Sequence, residues 1–149
     1  FKRKYQMNNQ LENISKEMFK RANSSELQVF GSFFLSRMMG LEIEVKPDLC
    51  IVKFQSEPTF FNPQGTLHGG VISTIMDISM GHLLEKEQKN GTTIELNVNF
   101  LLPIKNEKTI CEGSYIKKGR SISVMQSNLY REDKKLAAHA TSTWKIFEH

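Results

Sequence analysis

The sequence predicts an α+β domain in which an antiparallel sheet packs around one long and nearly uncharged helix. Three observations support this fold. The first forty residues carry apolar side chains at helical spacing, residues 67–87 form a longer helical pattern, and the pattern on both sides of that helix has a period of two. With 149 residues, the chain has the size of one domain whose core folds without disulfides or metals.

The N-terminal part is predicted to form two helices. Apolar residues between positions 11 and 19 recur at spacings of three and four, as on one face of a helix. The polar run at residues 23–25 offers an N-cap for a second helix that ends at Gly40. We therefore divide the chain into an N-terminal helical extension, residues 1–30, and a main domain, residues 31–149.

Alternating hydrophobicity predicts a sheet of five or six strands. Two strands precede the long helix and form a hairpin around the turn-forming pair Pro47-Asp48. Four further period-two segments follow the helix, at residues 94–102, 110–117, 122–130 and 136–146. Because consecutive strands are joined by short turns, the sheet is expected to be antiparallel, with the helix against one face.

The long helix contains an isolated carboxylate. Between Thr66 and Leu84 the only formally charged residue is Asp77, so this helix has no polar face and is expected to be surrounded by protein on most sides. Small residues share the helical stripe of Asp77, namely Gly70, Ser73, Thr74 and Gly81. The carboxylate is either held by those hydroxyl groups or kept for chemistry, and the sequence leaves both interpretations open.

The start of the same helix is a candidate site for developing negative charge. His68-Gly69-Gly70 places two residues without side chains where unpaired backbone N–H groups and the positive end of the helix dipole converge. A substrate can approach the N–H groups of Gly69 and Gly70 closely, and such groups can bind an oxyanion. The alternative is a turn that needs glycine for its backbone conformation alone.

The spacing of these two features predicts a dimer. Gly69 and Asp77 are eight residues apart, which is roughly 12 Å along a helix and too far for one reacting centre. If both groups act on one carbonyl, Asp77 must come from a second copy of the helix, antiparallel to the first. We therefore expect a symmetric dimer with two shared sites.

Charge and composition exclude several classes of protein. The net charge of +4 lies within residues 1–21, and the remaining chain is neutral, which argues against a nucleic-acid-binding face. The chain contains no run of about 18 apolar residues and no secretory signal, so we expect a cytoplasmic protein without a membrane span. Cys50 and Cys111 lack metal-ligand spacing and are expected to be reduced packing residues.

The sequence resembles the hotdog-fold acyl-CoA thioesterases, in particular the PaaI-like branch. The resemblance rests on NPQGTLHGG at residues 62–70 and on Asp77, nine residues after the histidine of that motif. It extends from about Phe33 to the end of the chain and includes GTTIELN at residues 91–97 and Gly119-Arg120. The family implies that a sheet wraps a long helix, that two subunits join their sheets, and that dimers commonly pair into homotetramers.

The resemblance also implies roles for five residues. Asp77 would activate water as a general base, or attack as a nucleophile, while the Gly69 N–H binds the thioester oxygen. Asn62 would orient water or substrate, and Thr93 would steady the water or the acid. His68 matches a position beside the thioester, although a histidine at a helix start can equally be a cap. An apolar environment should raise the pKa of Asp77 and improve it as a base.

The implied substrate is an acyl-coenzyme A, and the chemistry requires neither metal nor redox cofactor. Coenzyme A carries phosphate groups, so Lys117, Lys118 and Arg120 beside the Gly119 turn are candidates for binding its nucleotide end. The alternative is a solvated basic turn.

Two other functions stay open. One is a non-catalytic acyl-CoA binder, which would not require a base. The other is a hydratase or dehydratase, for which a His paired with an Asp or Glu would be expected.

Overall fold

The computed structural model describes the backbone of residues 2–87 and 89–147, and the side chains within these ranges from residue 9 onward. These residues contain three α-helices, α1 (Lys2–Ala22), α2 (Phe34–Met39) and α3 (Gly69–Lys86), together with a short 3-10 turn at Pro58–Phe60. The six strands are β1 (Glu42–Lys46), β2 (Leu49–Gln55), β3 (Asn90–Phe100), β4 (Lys108–Lys117), β5 (Ile122–Tyr130) and β6 (Leu136–Phe147). The predicted α+β class, the long central helix and the strand count are confirmed.

The six strands form one antiparallel sheet in the order β1-β2-β4-β5-β6-β3. Side chains of β5 alternate between buried and more exposed positions, as expected for a sheet covered on one face. Helix α3 lies against the covered face and contacts all six strands. Strands β1 and β3 are the two edges of the sheet, and β3 is the longer of them.

The hydrophobic core lies between α3 and the sheet. Half of the helix is buried, and its fully buried side chains include Ile75, Met76, Met80 and Leu83. They pack against inward-facing strand residues such as Val52, Met125 and Leu129. A helix buried on this scale cannot carry charged side chains without partners, which explains why Asp77 is the only charged residue of α3 before its last turn.

The second N-terminal helix is shorter than the sequence predicts. It starts at Phe34 instead of near residues 23–25, and the Phe33 N–H is accepted by the Ser36 hydroxyl. The intervening chain is irregular, and hydrogen bonds from the Arg37 side chain to its carbonyl oxygens take the place of helical hydrogen bonds. The Arg37 guanidinium donates to carbonyl oxygens of Ala22, Ser25, Leu27 and Ser32. The predicted end at Gly40 is confirmed, since Gly40 adopts the left-handed conformation with φ of 65°.

Helix α1 joins the main domain through its last turns. Met18 and Ala22 are buried, and the helix contacts α2 and the 3-10 turn. The Arg21 guanidinium donates to the carbonyl oxygens of Arg37 and Met38, close to the C-terminal end of α2. In the described part of the chain, no helix has the length and hydropathy needed to cross a bilayer.

Candidate active site

Asp77 and Thr93 meet across the interface between α3 and β3. The Thr93 hydroxyl donates a hydrogen bond of 2.8 Å to Oδ1 of Asp77, whose side chain is half-buried. Burial raises the pKa of Asp77, and the Thr93 hydrogen bond partly opposes this change because it favours the ionised form. The pair therefore presents a carboxylate that is a stronger base than a solvated aspartate.

A cavity of about 430 Å³ opens beside this carboxylate. We call it the Asp77 cavity. Its wall is mostly apolar and includes Phe30, Phe33, Ile78 and Trp144 beside Asp77. Gly81 also lines it, where a Cβ would lie 3.0 Å from the indole ring of Trp144, so glycine keeps helix and ring in close contact.

The tip of α3 leaves one backbone donor open. His68 is the N-cap, and its Nδ1 accepts a hydrogen bond of 2.9 Å from the Gly70 N–H. The next two amides, of Val71 and Ile72, donate to the carbonyl oxygen of His68. Within the described residues no acceptor is bonded to the Gly69 N–H. Of the two glycine amides considered as oxyanion donors, only that of Gly69 is thus available to a ligand.

Asn62 lies in the same groove as Gly69, a depression of about 290 Å³ that Phe100 also borders. Its side chain is engaged with its own loop: Oδ1 accepts from the N–H groups of Gln64 and Thr66, and Nδ2 donates to the Thr66 hydroxyl. Asn62 therefore shapes the loop that leads into the helix tip.

The predicted site residues form two separate groups within one chain. Asp77 and Thr93 belong to the Asp77 cavity and its immediate surroundings, whereas Asn62 and Gly69 belong to the groove at the helix tip. The two groups lie eight residues apart on α3, roughly 12 Å. A single protomer does not bring the carboxylate and the open amide to one point.

The basic residues near Gly119 have different surroundings. The Lys118 ammonium lies 2.7 Å from carboxylate oxygens of both Asp48 and Glu87, and 4.7 Å from the ring centre of Tyr115. These hydrogen bonds raise the pKa of Lys118. Its charge is therefore already compensated within the chain. The side chains of Lys117, Lys118 and Arg120 are all exposed at the hairpin.

One feature of the cavity could not be found from the sequence. His82, which lies on the apolar side of α3, accepts a hydrogen bond of 2.9 Å from the Gly31 N–H through Nε2. This contact joins residues 51 positions apart, and a pairing over that distance cannot be predicted from a local sequence pattern.

Among the described residues, no group of three His, Cys, Asp or Glu side chains could hold a metal ion.

Comparisons with known proteins agree with this architecture. The family model of the thioesterase superfamily matches residues 64–138, half of the chain. The medium/long-chain acyl-CoA thioesterase YigI of Escherichia coli K12 is 25% identical over 145 residues, covering 80% of this chain and 93% of the relative.

Two solved structures have the same hotdog fold. The PaaI protein of E. coli superposes with a TM-score of 0.76 at 12% identity, covering 91% of this chain and 96% of that one. A hypothetical thioesterase protein of Streptococcus pneumoniae, solved with coenzyme A, has a TM-score of 0.70 at 22% identity, covering 73% of this chain and 90% of that one. From the family match and the shared fold, we conclude that the chain belongs to the thioesterase superfamily.

Proposed function

We propose that this protein hydrolyses the thioester bond of an acyl-coenzyme A, with Asp77 as the general base. The observation that carries the proposal is the Asp77 carboxylate, held by Thr93 beside an apolar cavity where burial raises its pKa. A base whose pKa approaches the working pH is the most effective in proton transfer. The coenzyme A bound by the Streptococcus pneumoniae relative and the activity in the name of YigI agree with this substrate class.

The proposed hydrolysis consumes one water molecule and breaks the carbon–sulfur bond of the thioester. Asp77 takes a proton from a water molecule, and the water oxygen attacks the thioester carbonyl carbon. The open N–H of Gly69 stabilises the oxyanion of the tetrahedral intermediate, which then collapses as the carbon–sulfur bond breaks. The thiolate of coenzyme A leaves and is protonated, and the acyl group leaves as the carboxylic acid. The step uses no metal and no redox cofactor.

We infer that the active unit is a dimer, because the carboxylate and the amide lie in separate cavities of one chain. Strand β3 is an edge of eleven residues with one side unpaired in the described chain, and such an edge favours pairing with another strand. Exposed apolar side chains lie on β3 or directly after it: Ile94 is 57% exposed, Phe100 55% and Leu101 52%. Pairing two copies of β3 would cover them and set the two α3 helices antiparallel.

In such a dimer, Asp77 would face Gly69 of the partner subunit, and the Asp77 cavity would continue into the partner's groove. The same arrangement occurs twice by symmetry. Pairing of two dimers through the outer face of the sheet would give the homotetramer that the sequence resemblance implies. Lys117, Lys118 and Arg120, which are exposed beside Gly119, would then be candidates for the phosphate groups of coenzyme A.

The proposal is tested by following thiol release from acetyl-, hexanoyl-, decanoyl- and palmitoyl-coenzyme A. We expect turnover by the unaltered protein and a loss of at least about a hundredfold in Asp77→Asn, as is usual when a general base is removed. Asn has the shape of Asp and can still accept from Thr93, so the fold is retained. Asp133→Asn, in an exposed turn, is the matched control. Equal turnover by Asp77→Asn and the control would contradict the mechanism.

A further inference from the structure

Part of the Asp77 cavity is built by a segment outside the matched family region of residues 64–138. Residues 27–33 lie between α1 and α2, directly before α2, and contact α3 at His82. Four of them, Gln28, Val29, Phe30 and Phe33, line the cavity, as does Trp144. We call residues 27–33 the covering segment.

His82 forms a hydrogen bond with the backbone in the middle of the covering segment. The Gly31 N–H donates to Nε2 of His82, while Nδ1 of the same ring donates to the Ile78 carbonyl oxygen at 2.8 Å. Phe30 packs edge-to-face with the His82 ring and Phe33 stacks with it, with ring centres 5.2 Å and 6.0 Å from that of His82. Both ring nitrogens are thus used within the chain. Burial lowers the pKa of His82, which keeps the ring in the neutral form that this arrangement requires.

Arg37 forms hydrogen bonds with the backbone near both ends of the segment. The Arg37 guanidinium donates to the carbonyl oxygens of Leu27 and Ser32, at 2.8 Å and 3.1 Å. Gly31 itself has φ of 76°, a conformation that favours glycine. The segment is therefore held by side-chain contacts at both ends and in the middle, and its own backbone is closed by a β-bridge between Val29 and Ser32.

The chemistry of the wall indicates what binds there. Among the lining residues, none is Lys or Arg, so the cavity offers nothing to the anionic end of coenzyme A. Its surface is mostly aromatic and aliphatic, and the only carboxylate is Asp77. A decyl tail fits in a cavity of about 430 Å³, because ten methylene groups occupy about 300 Å³ if each takes about the volume of a water molecule, roughly 30 Å³.

We propose that the covering segment is the wall of the acyl-tail site and that His82 is the positioning residue that holds this wall in place. The ligand class is an apolar acyl tail of medium length, with the thioester at Asp77 and the tail between the covering segment and α3. This inference rests on the proposed function for the identity of the ligand. His82 acts through the segment and does not touch the reacting atoms.

The test measures binding by titration calorimetry with two thioethers, S-decyl-coenzyme A and S-ethyl-coenzyme A, which bind without reacting. The unaltered protein should bind the decyl compound at least about a hundredfold more tightly, because its additional methylene groups are buried. His82→Phe keeps a ring but removes the acceptor for Gly31, and should weaken binding of the decyl compound about tenfold. The ethyl compound does not reach the wall, and its affinity should stay within a factor of two.

A conservative variant that restores the decyl affinity would show that His82 acts by positioning the covering segment and not by general packing. His82→Gln carries an oxygen near the position of Nε2 and should restore most of the decyl affinity. Should His82→Phe fold poorly, Phe33→Ala tests the same wall, since it removes a lining ring while the backbone contact to Ser36 persists. Phe34→Ala, on a neighbouring side chain that does not line the cavity, is its matched control.

The proposal is overturned if His82→Phe or Phe33→Ala binds the decyl compound as tightly as the unaltered protein, or if both compounds weaken in parallel. Its failure can be told apart from failure of the proposed function. Selective decyl binding without thiol release from any acyl-coenzyme A would refute hydrolysis and support the wall. Thiol release with a decyl affinity insensitive to both variants would support hydrolysis and refute the wall.

Discussion

At the scale of single residues, the ionisation of Asp77 is set by two opposing contacts. Burial disfavours the carboxylate, and the Thr93 hydrogen bond favours it, so the pKa is raised less than burial alone would raise it. A general base acts only in its ionised form. Burial and the Thr93 hydroxyl together therefore set the pH at which the proposed site becomes active.

Thr93→Val should shift the acid limb of the pH profile of kcat/KM to higher pH. Valine has nearly the shape of threonine but no hydroxyl, so the carboxylate loses the hydrogen bond that stabilises it and its pKa rises further. Thr93→Ser retains a hydroxyl and should restore the position of the limb. The measurement is kcat/KM for one acyl-coenzyme A between pH 5 and 9. An unchanged limb in Thr93→Val would show that this hydrogen bond does not control the base.

The same carboxylate should reduce stability at neutral pH. Because the folded chain has a raised pKa at Asp77, the unfolded chain loses this proton first as the pH rises, and the folded state loses stability relative to its value below the ordinary pKa of 3.8. Asp77→Asn should therefore increase the free energy of unfolding at pH 7 by up to about 1 kcal/mol, a common gain when a functional group is removed.

Urea unfolding at several pH values checks this sign. The difference between Asp77→Asn and the unaltered protein should shrink as the pH is lowered from 7 towards 4, because the aspartate then becomes neutral as well. A difference of the opposite sign at pH 7 would mean that the folded chain stabilises the carboxylate more than water does.

At the scale of elements, the position of α3 depends on a close approach to β4. A Cβ added at Gly113 would lie 2.6 Å from the carbonyl carbon of Ser79, and closer still to its oxygen. The contact is with helix backbone, so no side-chain rotation relieves it. The Ser79 hydroxyl also meets that of Ser127 at 2.8 Å, which fixes the helix at the same point.

Gly113→Ala should therefore destabilise the protein by about 2–3 kcal/mol, the usual cost of forcing extra volume into a packed core. The neighbouring residue Ser114 is half-exposed on the other face of the sheet, so Ser114→Ala should change the free energy of unfolding by less than about 0.5 kcal/mol. Urea denaturation compares the two. Similar stabilities for both variants would mean that α3 can move away from the sheet at little cost.

Elements defined by local pattern were predictable from the sequence, and those defined by distant contacts were not. The bounds of α3 followed from its lack of charge and from the glycines at its start. Helix α2 starts later than expected because Arg37 bonds the backbone up to 15 residues away. On β3, a bulge between Thr93 and Glu95 interrupts the predicted alternation and leaves Ile94 exposed.

For the candidate site, local motifs located the residues but not their partners. The motif at residues 62–70 and the isolated charge of Asp77 identified the two chemical groups from sequence. The resemblance implied that Thr93 steadies the water or the acid, but spacing alone did not give its bond to Asp77, because that bond depends on the bulge in β3 next to Thr93. The fastening of the covering segment by His82 likewise depends on the folding of two distant segments against each other.

At the scale of the whole molecule, the proposed site requires two copies of the chain. The Gly69 N–H can be removed with little change to the helix, since proline is favoured at the first helical position and His68 has the extended conformation that precedes proline, with ψ of 135°. Gly69→Ala is the matched control, because it keeps the N–H and adds the same Cβ next to Phe100. We expect a loss of about a hundredfold or more in kcat for Gly69→Pro only.

Mixing two inactive variants then tests whether the site is shared between subunits. In a hybrid of Asp77→Asn with Gly69→Pro, the first chain supplies an intact Gly69 and the second an intact Asp77, so one of the two sites is complete. If subunits are unfolded together and refolded as an equal mixture, half of the dimers are hybrids, and about a quarter of the normal activity should return. Each variant refolded alone should stay inactive. No recovery in a mixture that forms hybrids, verified with a tag on one variant, would mean that both groups act within a single chain or not at all.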